Sequence, residues 1–388
     1  MFTFQDAPMA KDRAVGWRYV RDAGDVIKGG DNTWLLTSPE AVQFAHRHPE
    51  IFSSARAFDG LGSPVPIIPI AVDPPDHRRY RRVLDPMLAP RVVNTMQDEL
   101  RVQARTLIEA FADRGSCGAV DDLARLYPTQ VFLTLFGLPL EDRDQFIHWA
   151  ETIIENSSRD ATADLAPEVV ECATALFGYL DSYIDKKRSR PGDDMLSQVL
   201  SLSGDDEWSK EEALGLCFLF VLAGLDTVTA MIGFTLLHLA REETLRRQMV
   251  GDPSLVGPVI EEILRLEQPA PTTPRVTTQD VEVCGTLIPA GSQVTLCLGT
   301  VNRDAGRFPH PDRIDPAQAD TGHLAFGGGI HRCLGSHLAR RELRLVVEEF
   351  HKLIPDYRVA PGAEPEIVFP SGTFHLKSLP LVFAGNGG

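Results

Sequence analysis

The 388-residue chain carries 38 Lys and Arg against 54 Asp and Glu, a formal charge of −16 at neutral pH. That balance excludes a non-specific nucleic-acid binder, which needs cations to neutralise phosphates, and opposes broad adhesion to anionic membrane. With 43% hydrophobic residues the chain can bury a substantial core, so disorder is excluded for most of its length.

At about 150 residues per domain, length alone suggests two or three domains. The six cysteines (Cys117, Cys172, Cys217, Cys284, Cys297 and Cys333) lie far apart, with no C-x-x-C pair and no signal peptide ahead of them. A disulfide framework is not expected, and the cytoplasm is the natural compartment. Five of the six read as small core residues. Glycines and cations surround Cys333.

In chain order, Thr33–Thr37 reads as a short strand and Ser38–His48 as a helix capped by Ser38. Phe58–Ile70 is a loop rich in Gly, Pro and Ile. Asp73 and Pro74 are the expected cap and first residue of the next helix. Apolar periodicity predicts helices near 92–114, 119–136, 141–156, 167–188, 193–202, 210–241, 243–250 and 255–268. Residues 214–240 are apolar enough to cross a bilayer, but Asp226 sits at their middle and both flanks are acidic. A long helix buried all round in a helical protein is the better reading. From Pro269 on, β-formers cluster at 276–283 and 293–298 about a Pro289-Ala290-Gly291 turn. Residues 302–322 read as loop, Leu334–Leu353 as a helix and 359–383 as short strands. No composition shift marks a boundary. The expected fold class is mainly α with a small β region (about 30–37, 276–298 and 359–383) in one domain spanning 1–388.

The densest chemical signal is Phe326-Gly327-Gly328-Gly329-Ile330-His331-Arg332-Cys333-Leu334-Gly335. Its glycines let backbone approach something flat or bulky. Cys333 falls at the expected start of a helix, where unpaired N–H groups and the positive dipole end stabilise a thiolate, and hence a metal ligand or a nucleophile. The alternatives are a glycine-rich turn with an incidental Cys, or a zinc site from His331, Cys333 and His337. That spacing matches no common zinc pattern.

This run resembles the haem-ligand loop of the cytochrome P450 monooxygenases, F-x-x-G-x-H/R-x-C-x-G, at every defined position: Phe326, Gly329, His331, Cys333 and Gly335. Three further motifs occur in that family's order. Ala223-Gly224-Leu225-Asp226-Thr227 resembles its oxygen-binding helix, Glu262-Ile263-Leu264-Arg265 its E-x-x-R, and Asp73 through Arg81 its haem-contacting helix. The match covers roughly 30–383, and the soluble bacterial branch fits best, since no N-terminal membrane anchor is read.

The resemblance implies haem b with Cys333 as axial thiolate, which favours O–O cleavage. Dioxygen is then the cosubstrate. His77, Arg81, Arg275 and His331 are the candidate propionate partners, and Ala223, Gly224, Phe326, Gly327 and Gly335 further haem contacts. Asp226 is the implied proton relay, and Thr227 a hydroxyl that bonds the carbonyl four residues back and holds a water. Glu262 and Arg265 are an implied structural pair, joined by Arg313.

The implied pocket is lined by the Phe58–Ile70 loop with Ile67 and Ile68, by Leu222, Ala223 and Thr227, by Thr272, Thr273 and Val276, and by Gly372, Thr373 and Phe374. Its apolar lining suggests a terpenoid, steroid or aromatic substrate. No dinucleotide fingerprint is present, so NAD(P)H is used indirectly, through a ferredoxin reductase and a ferredoxin. Arg78, Arg79, Arg82, Arg332, Arg340, Arg341 and Arg344 form the expected docking face for that acidic partner. The protein is expected to be a monomer. The rivals are a peroxide-driven enzyme of the same fold, against which Asp226 and Thr227 speak, and a non-catalytic haem sensor, which needs neither the acid–alcohol pair nor a basic face.

Overall fold

The computed structural model describes residues 2, 7–58, 63–156, 166–368 and 373–385; Gly372 and part of the Phe58–Ile70 loop lie outside them. The chain begins with helix α1 (Arg13–Asp22), strands β1 (Val26–Lys28) and β2 (Thr33–Leu36), α2 (Pro39–Arg47) and β3 (Phe52–Ser53). A helical stretch follows: α3 (Asp76–Met87), α4 (Pro90–Thr95), α5 (Gln97–Ala112), the short strand β4 (Ser116–Gly118), α6 (Leu126–Phe136), α7 (Arg143–Asn156), α8 (Pro167–Ser189) and α9 (Met195–Leu200). Then come α10 (Lys210–Leu219), α11 (Leu225–Arg241), α12 (Glu243–Gly251) and α13 (Val256–Leu266). Strands β5 (Thr272–Thr277), β6 (Val281–Val283), β7 (Thr286–Ile288) and β8 (Gln293–Cys297) precede α14 (Leu298–Val301) and α15 (Ser336–Leu353). The tail holds β9 (Tyr357–Val359), β10 (Ile367–Val368), β11 (His375–Leu376) and β12 (Pro380–Phe383).

The main sheet runs β1-β2-β8-β5-β3. Its one parallel pair sets Thr33 opposite Gln293, joining chain segments about 260 residues apart. Ser38 caps α2 as expected, accepting from the Ala41 N–H. Asp73 does not cap α3. Helix α3 starts at Asp76 behind Pro75, because a residue preceding proline is driven out of the helical region. The Asp73 carboxylate instead accepts from the Ser53 hydroxyl and, at 2.8 Å, from the Ser54 N–H.

The expected helix 92–114 is two helices, α4 and α5, and the strand expected at 276–283 is the end of β5 plus β6. Helix α1 and strands β1, β3 and β4 were not expected from the sequence.

The span from Lys210 to Arg241, the one stretch among the described residues long and apolar enough to cross a membrane, is largely buried inside the protein. It packs on α6, α8, α13 and α15. All six cysteines are free thiols.

Two buried ionic clusters fix the frame around the site. Glu262 and Arg265 are fully buried and paired by two bonds of 2.8 Å, from Nε and Nη2 along one guanidinium edge. The remaining Arg265 donors go to the carbonyls of Asn302, Pro311 and Arg313. Arg313 therefore contributes its backbone and not its exposed guanidinium to the pair. The Gln318 amide at 2.8 Å and the Asp315 N–H at 3.1 Å already satisfy Glu262, so no second cation is needed. In the other cluster, Arg13 of α1 and His238 of α11 both bond buried Glu267, at 2.7 and 2.8 Å. Burial opposes ionisation there, but Arg13 and His238 hold the Glu267 carboxyl far below its ordinary range.

Candidate active site

Cys333 lies three residues before α15, whose N-cap is Gly335, so it precedes the helix and does not open it. The loop is wound by Gly327 and Gly329, both at positive φ (68° and 65°), where a side chain would be strained. The Cys333 N–H donates to the Phe326 carbonyl at 2.8 Å, closing the loop. The thiol keeps open surface. Surrounding protein raises its pKa by desolvation, while the Gly335 N–H and the Arg81, Arg332 and Arg340 guanidiniums favour the thiolate.

Helix α2 supports the loop from outside: a Cβ on Gly328 would sit 2.6 Å from His46 Nδ1. Phe326 is covered by Arg340, its guanidinium 4.3 Å from the ring centroid. Arg340 in turn grips Glu261 of α13 at 2.6 and 2.8 Å.

On one side of this loop four cationic or imidazole groups converge. The His77 and His331 rings are 4.3 Å apart. Both Nε2 atoms are buried without a hydrogen-bond partner. Burial, with Arg81 for His77 and with Arg275 for His331, lowers their pKa values to about 4 and about 3. Arg275 is buried and, among the described residues, bonds its neighbour's carbonyl, on Pro274, at 2.6 Å. Its pKa falls to about 10 by desolvation, opposed by Asp73. Arg81 is shared between Asp85 and the Arg332 carbonyl, each at 2.8 Å.

A buried arginine and two buried imidazole nitrogens without a partner among the described residues suit an anionic ligand. They fit the two propionates of the haem implied by the Cys333 loop.

The central helix does not run straight. Phe220–Gly224 forms a π turn between α10 and α11, the kind of local widening that marks functional positions. Ala223 is exposed, between half-buried Leu222 and Gly224. Thr227 donates to the Ala223 carbonyl at 2.7 Å, as expected. The Asp226 carboxylate accepts from the Thr373 hydroxyl.

Of the other expected pocket residues, Ile67 and Ile68 are buried in a segment pressed on α10, where Gly215 faces the Pro66 carbonyl with no room for a side chain. Leu222, Thr272 and Val276 are half-buried. The Thr273 hydroxyl is buried and unpartnered. Phe374 is likewise buried, edge-on to Trp17 of α1 at 6.3 Å.

The expected docking arginines divide by charge compensation. Arg79 bonds Glu212 at 2.7 Å and the carbonyls of Asp205 and Glu207, so it staples α3 to the start of α10. Arg82 pairs with Asp206, Arg340 with Glu261 and Arg344 with Glu348. Among the described residues, Arg341 meets the neutral side-chain oxygens of Asn94 and Gln97 and no carboxylate. Arg78 and Arg332 are exposed, with no ion pair among the described residues. Arg340, Arg341 and Arg344 line a groove of about 250 Å³ together with Pro90, Val93 and His337.

His46, Glu261 and Gln318 were missed in the sequence, where none of them carries a signal of its own.

The family described as Cytochrome P450 matches residues 25–381. The chain is 33% identical over 350 residues to vitamin D(3) 25-hydroxylase of Pseudonocardia autotrophica, covering 88% of this chain and 85% of that protein. It is 32% identical over 359 residues to erythromycin C-12 hydroxylase of Saccharopolyspora erythraea, covering 90% and 89%. Among solved structures, a mutant of P450 EryK in complex with erythromycin B superposes with a TM-score of 0.88 at 29% identity, over 98% of this chain and 99% of that one. The matched span contains the thiol loop, the anion site and the π turn, and the chain belongs to the cytochrome P450 family of haem-thiolate monooxygenases.

Proposed function

We propose that this P450 hydroxylates a neutral, hydrophobic small molecule of the terpenoid, steroid or aromatic kind, taking its electrons one at a time from a separate ferredoxin. What supports the substrate reading is the uncharged character of the residues expected to line the pocket: Ile67, Ile68, Leu222, Ala223, Thr272 and Val276. The orphaned Thr273 hydroxyl suits a substrate with one polar oxygen to share a hydrogen bond. The relatives' names speak of vitamin D(3) and erythromycin, both large and mostly apolar.

When bound, the haem supplies dioxygen reduction and the oxidation of a C–H bond. The chain's own residues do the rest. Cys333 would bind the haem iron as a thiolate, and His77, His331 and Arg275, with Arg81 at their edge, would hold the propionates. Gly224 and the π turn open room beside Thr227, whose hydroxyl is tied to the Ala223 carbonyl and can hold a water. Asp226 passes protons from solvent toward that water.

Arg78, Arg332 and Arg341 carry uncompensated charge and are the strongest candidates to meet an acidic ferredoxin. We further read the chain as one domain, monomeric and cytoplasmic.

The experiment is reconstitution of the purified holoenzyme with a [2Fe–2S] ferredoxin and its reductase, after a screen of steroids, terpenoids and aromatics by spin-state shift. Hydroxylated product should require NAD(P)H and ferredoxin together, and Thr227→Ala should divert electrons to peroxide. Product formed equally well from peroxide alone would overturn the ferredoxin reading.

A further inference from the structure

Residues 373–376 run along α11. Leu376 packs on Gly233, where a Cβ would lie 3.4 Å from the leucine methyl. Thr373 meets Asp226, seven residues and two helical turns earlier on the same face. The segment is anchored independently of this contact. The Phe374 N–H donates to the Pro269 carbonyl at 2.8 Å, its ring is locked against Trp17, and β11 pairs with β10. A hydroxyl on so firmly held a segment is a fixed point, whereas a carboxylate at the edge of a π turn sits on the least regular part of the central helix.

We propose that Thr373 is a positioning residue: its hydroxyl holds the Asp226 carboxylate in the orientation from which Asp226 delivers protons toward Thr227. The proposal rests on the proton role given to Asp226 above. A donor one side chain away sets where the proton leaves, and small misplacements of a catalytic group cost large factors in rate. The balance at stake is between two reductions of dioxygen. Two electrons and two protons give hydrogen peroxide; four electrons and four protons give two waters. Slow proton delivery favours the first.

The test needs no organic substrate. The holoenzyme and its Thr373→Val and Thr373→Ser variants are supplied with NADPH, a [2Fe–2S] ferredoxin and its reductase, and hydrogen peroxide released per NADPH is measured. In parallel, crystal structures of both variants report the Asp226 rotamer. We expect Thr373→Val to raise the peroxide fraction at least threefold and to displace the Asp226 carboxylate. Thr373→Ser should match the parent in both readings. Combining Thr373→Val with Asp226→Asn should be no worse than Asp226→Asn alone.

A parent-like peroxide fraction in Thr373→Val, an unmoved carboxylate, or equal defects in the Val and Ser variants would overturn the proposal. If Asp226→Asn raises peroxide and Thr373→Val does not, only the positioning role falls. If Asp226→Asn changes nothing, the proton role of Asp226 falls with it.

Discussion

His77 of α3 and His331 of the thiol loop face each other at 4.3 Å, each with a buried Nε2 that has no hydrogen-bond partner among the described residues. Two elements about 250 residues apart in sequence thus bring one pair of ring nitrogens together, the pair proposed above to hold the propionates. Each imidazole–carboxylate hydrogen bond is worth about 1.5–3 kcal/mol. His77→Phe or His331→Phe should therefore release haem roughly 10- to 100-fold faster. Transfer of haem to apomyoglobin measures this. Parent-like transfer in both variants would remove these residues from the haem contacts.

The Glu262–Arg265 pair is predicted to be intolerant of half-removal. Replacing Glu262 by Gln leaves a buried guanidinium without its carboxylate, a loss of about 3–5 kcal/mol. Arg265→Lys also fails, because a lysine cannot bond the carboxylate twice and still reach the Asn302, Pro311 and Arg313 carbonyls. Urea midpoints and the haem-loaded fraction on purification are the measurements, and an unchanged midpoint would contradict the reading.

A pH dependence follows from Glu261. Burial opposes its ionisation, but bonds from His323 and Arg340 outweigh that and pull its pKa from 4.5 to about 2. A depressed carboxyl stabilises the fold above its unfolded value, and that stability is lost as pH falls from about 4.5 toward 2. Glu261→Gln should lower stability near neutrality by on the order of 2 kcal/mol. The gap between parent and variant should narrow as the solution is acidified below 4.5. Denaturant melts across pH test this, and a gap that widens toward acid would contradict it.

Arg79 and Arg332 should separate structure from docking. Arg79→Glu sets a carboxylate against Glu212, which also accepts from the Tyr80 hydroxyl at 2.6 Å. It should cost about 1–3 kcal/mol of stability. Arg332→Glu touches no ion pair among the described residues and should leave stability within about 0.5 kcal/mol. It should weaken ferredoxin binding in a salt-dependent way. Calorimetric melts and ferredoxin titrations at two ionic strengths distinguish the two, and the reverse pattern would overturn the assignment of roles.

The parts of this site that were legible in sequence are those set by short spacing. Cys333 with its glycines, Asp226 beside Thr227, and Glu262 with Arg265 each lie within one loop or one helical turn. What stayed hidden depends on contacts between distant segments. Thr373 reaches Asp226 across 147 positions, and Arg13 reaches Glu267 across 254. His46 matters only because α2 packs behind Gly328.

The π turn left no trace either, since widening one helical turn does not disturb a run that is apolar on every face. The fold class was readable from periodicity, whereas β4, three residues including Ser and Gly, exists because β12 pairs with it. The length prior of several domains gave no guide to the one long buried helix on which the site is built. The basic face is narrower than the run of arginines suggested, because Arg79, Arg82, Arg340 and Arg344 are spent on carboxylates of the same chain.

The central claim is that Cys333 binds haem iron as a thiolate. The direct measurement is the absorption spectrum of the reduced protein under carbon monoxide. The parent should show the red-shifted Soret band of a thiolate-ligated haem, and Cys333→Ala should lose it. A histidine-type Soret band in the parent, or a red-shifted band that survives in Cys333→Ala, would contradict the account.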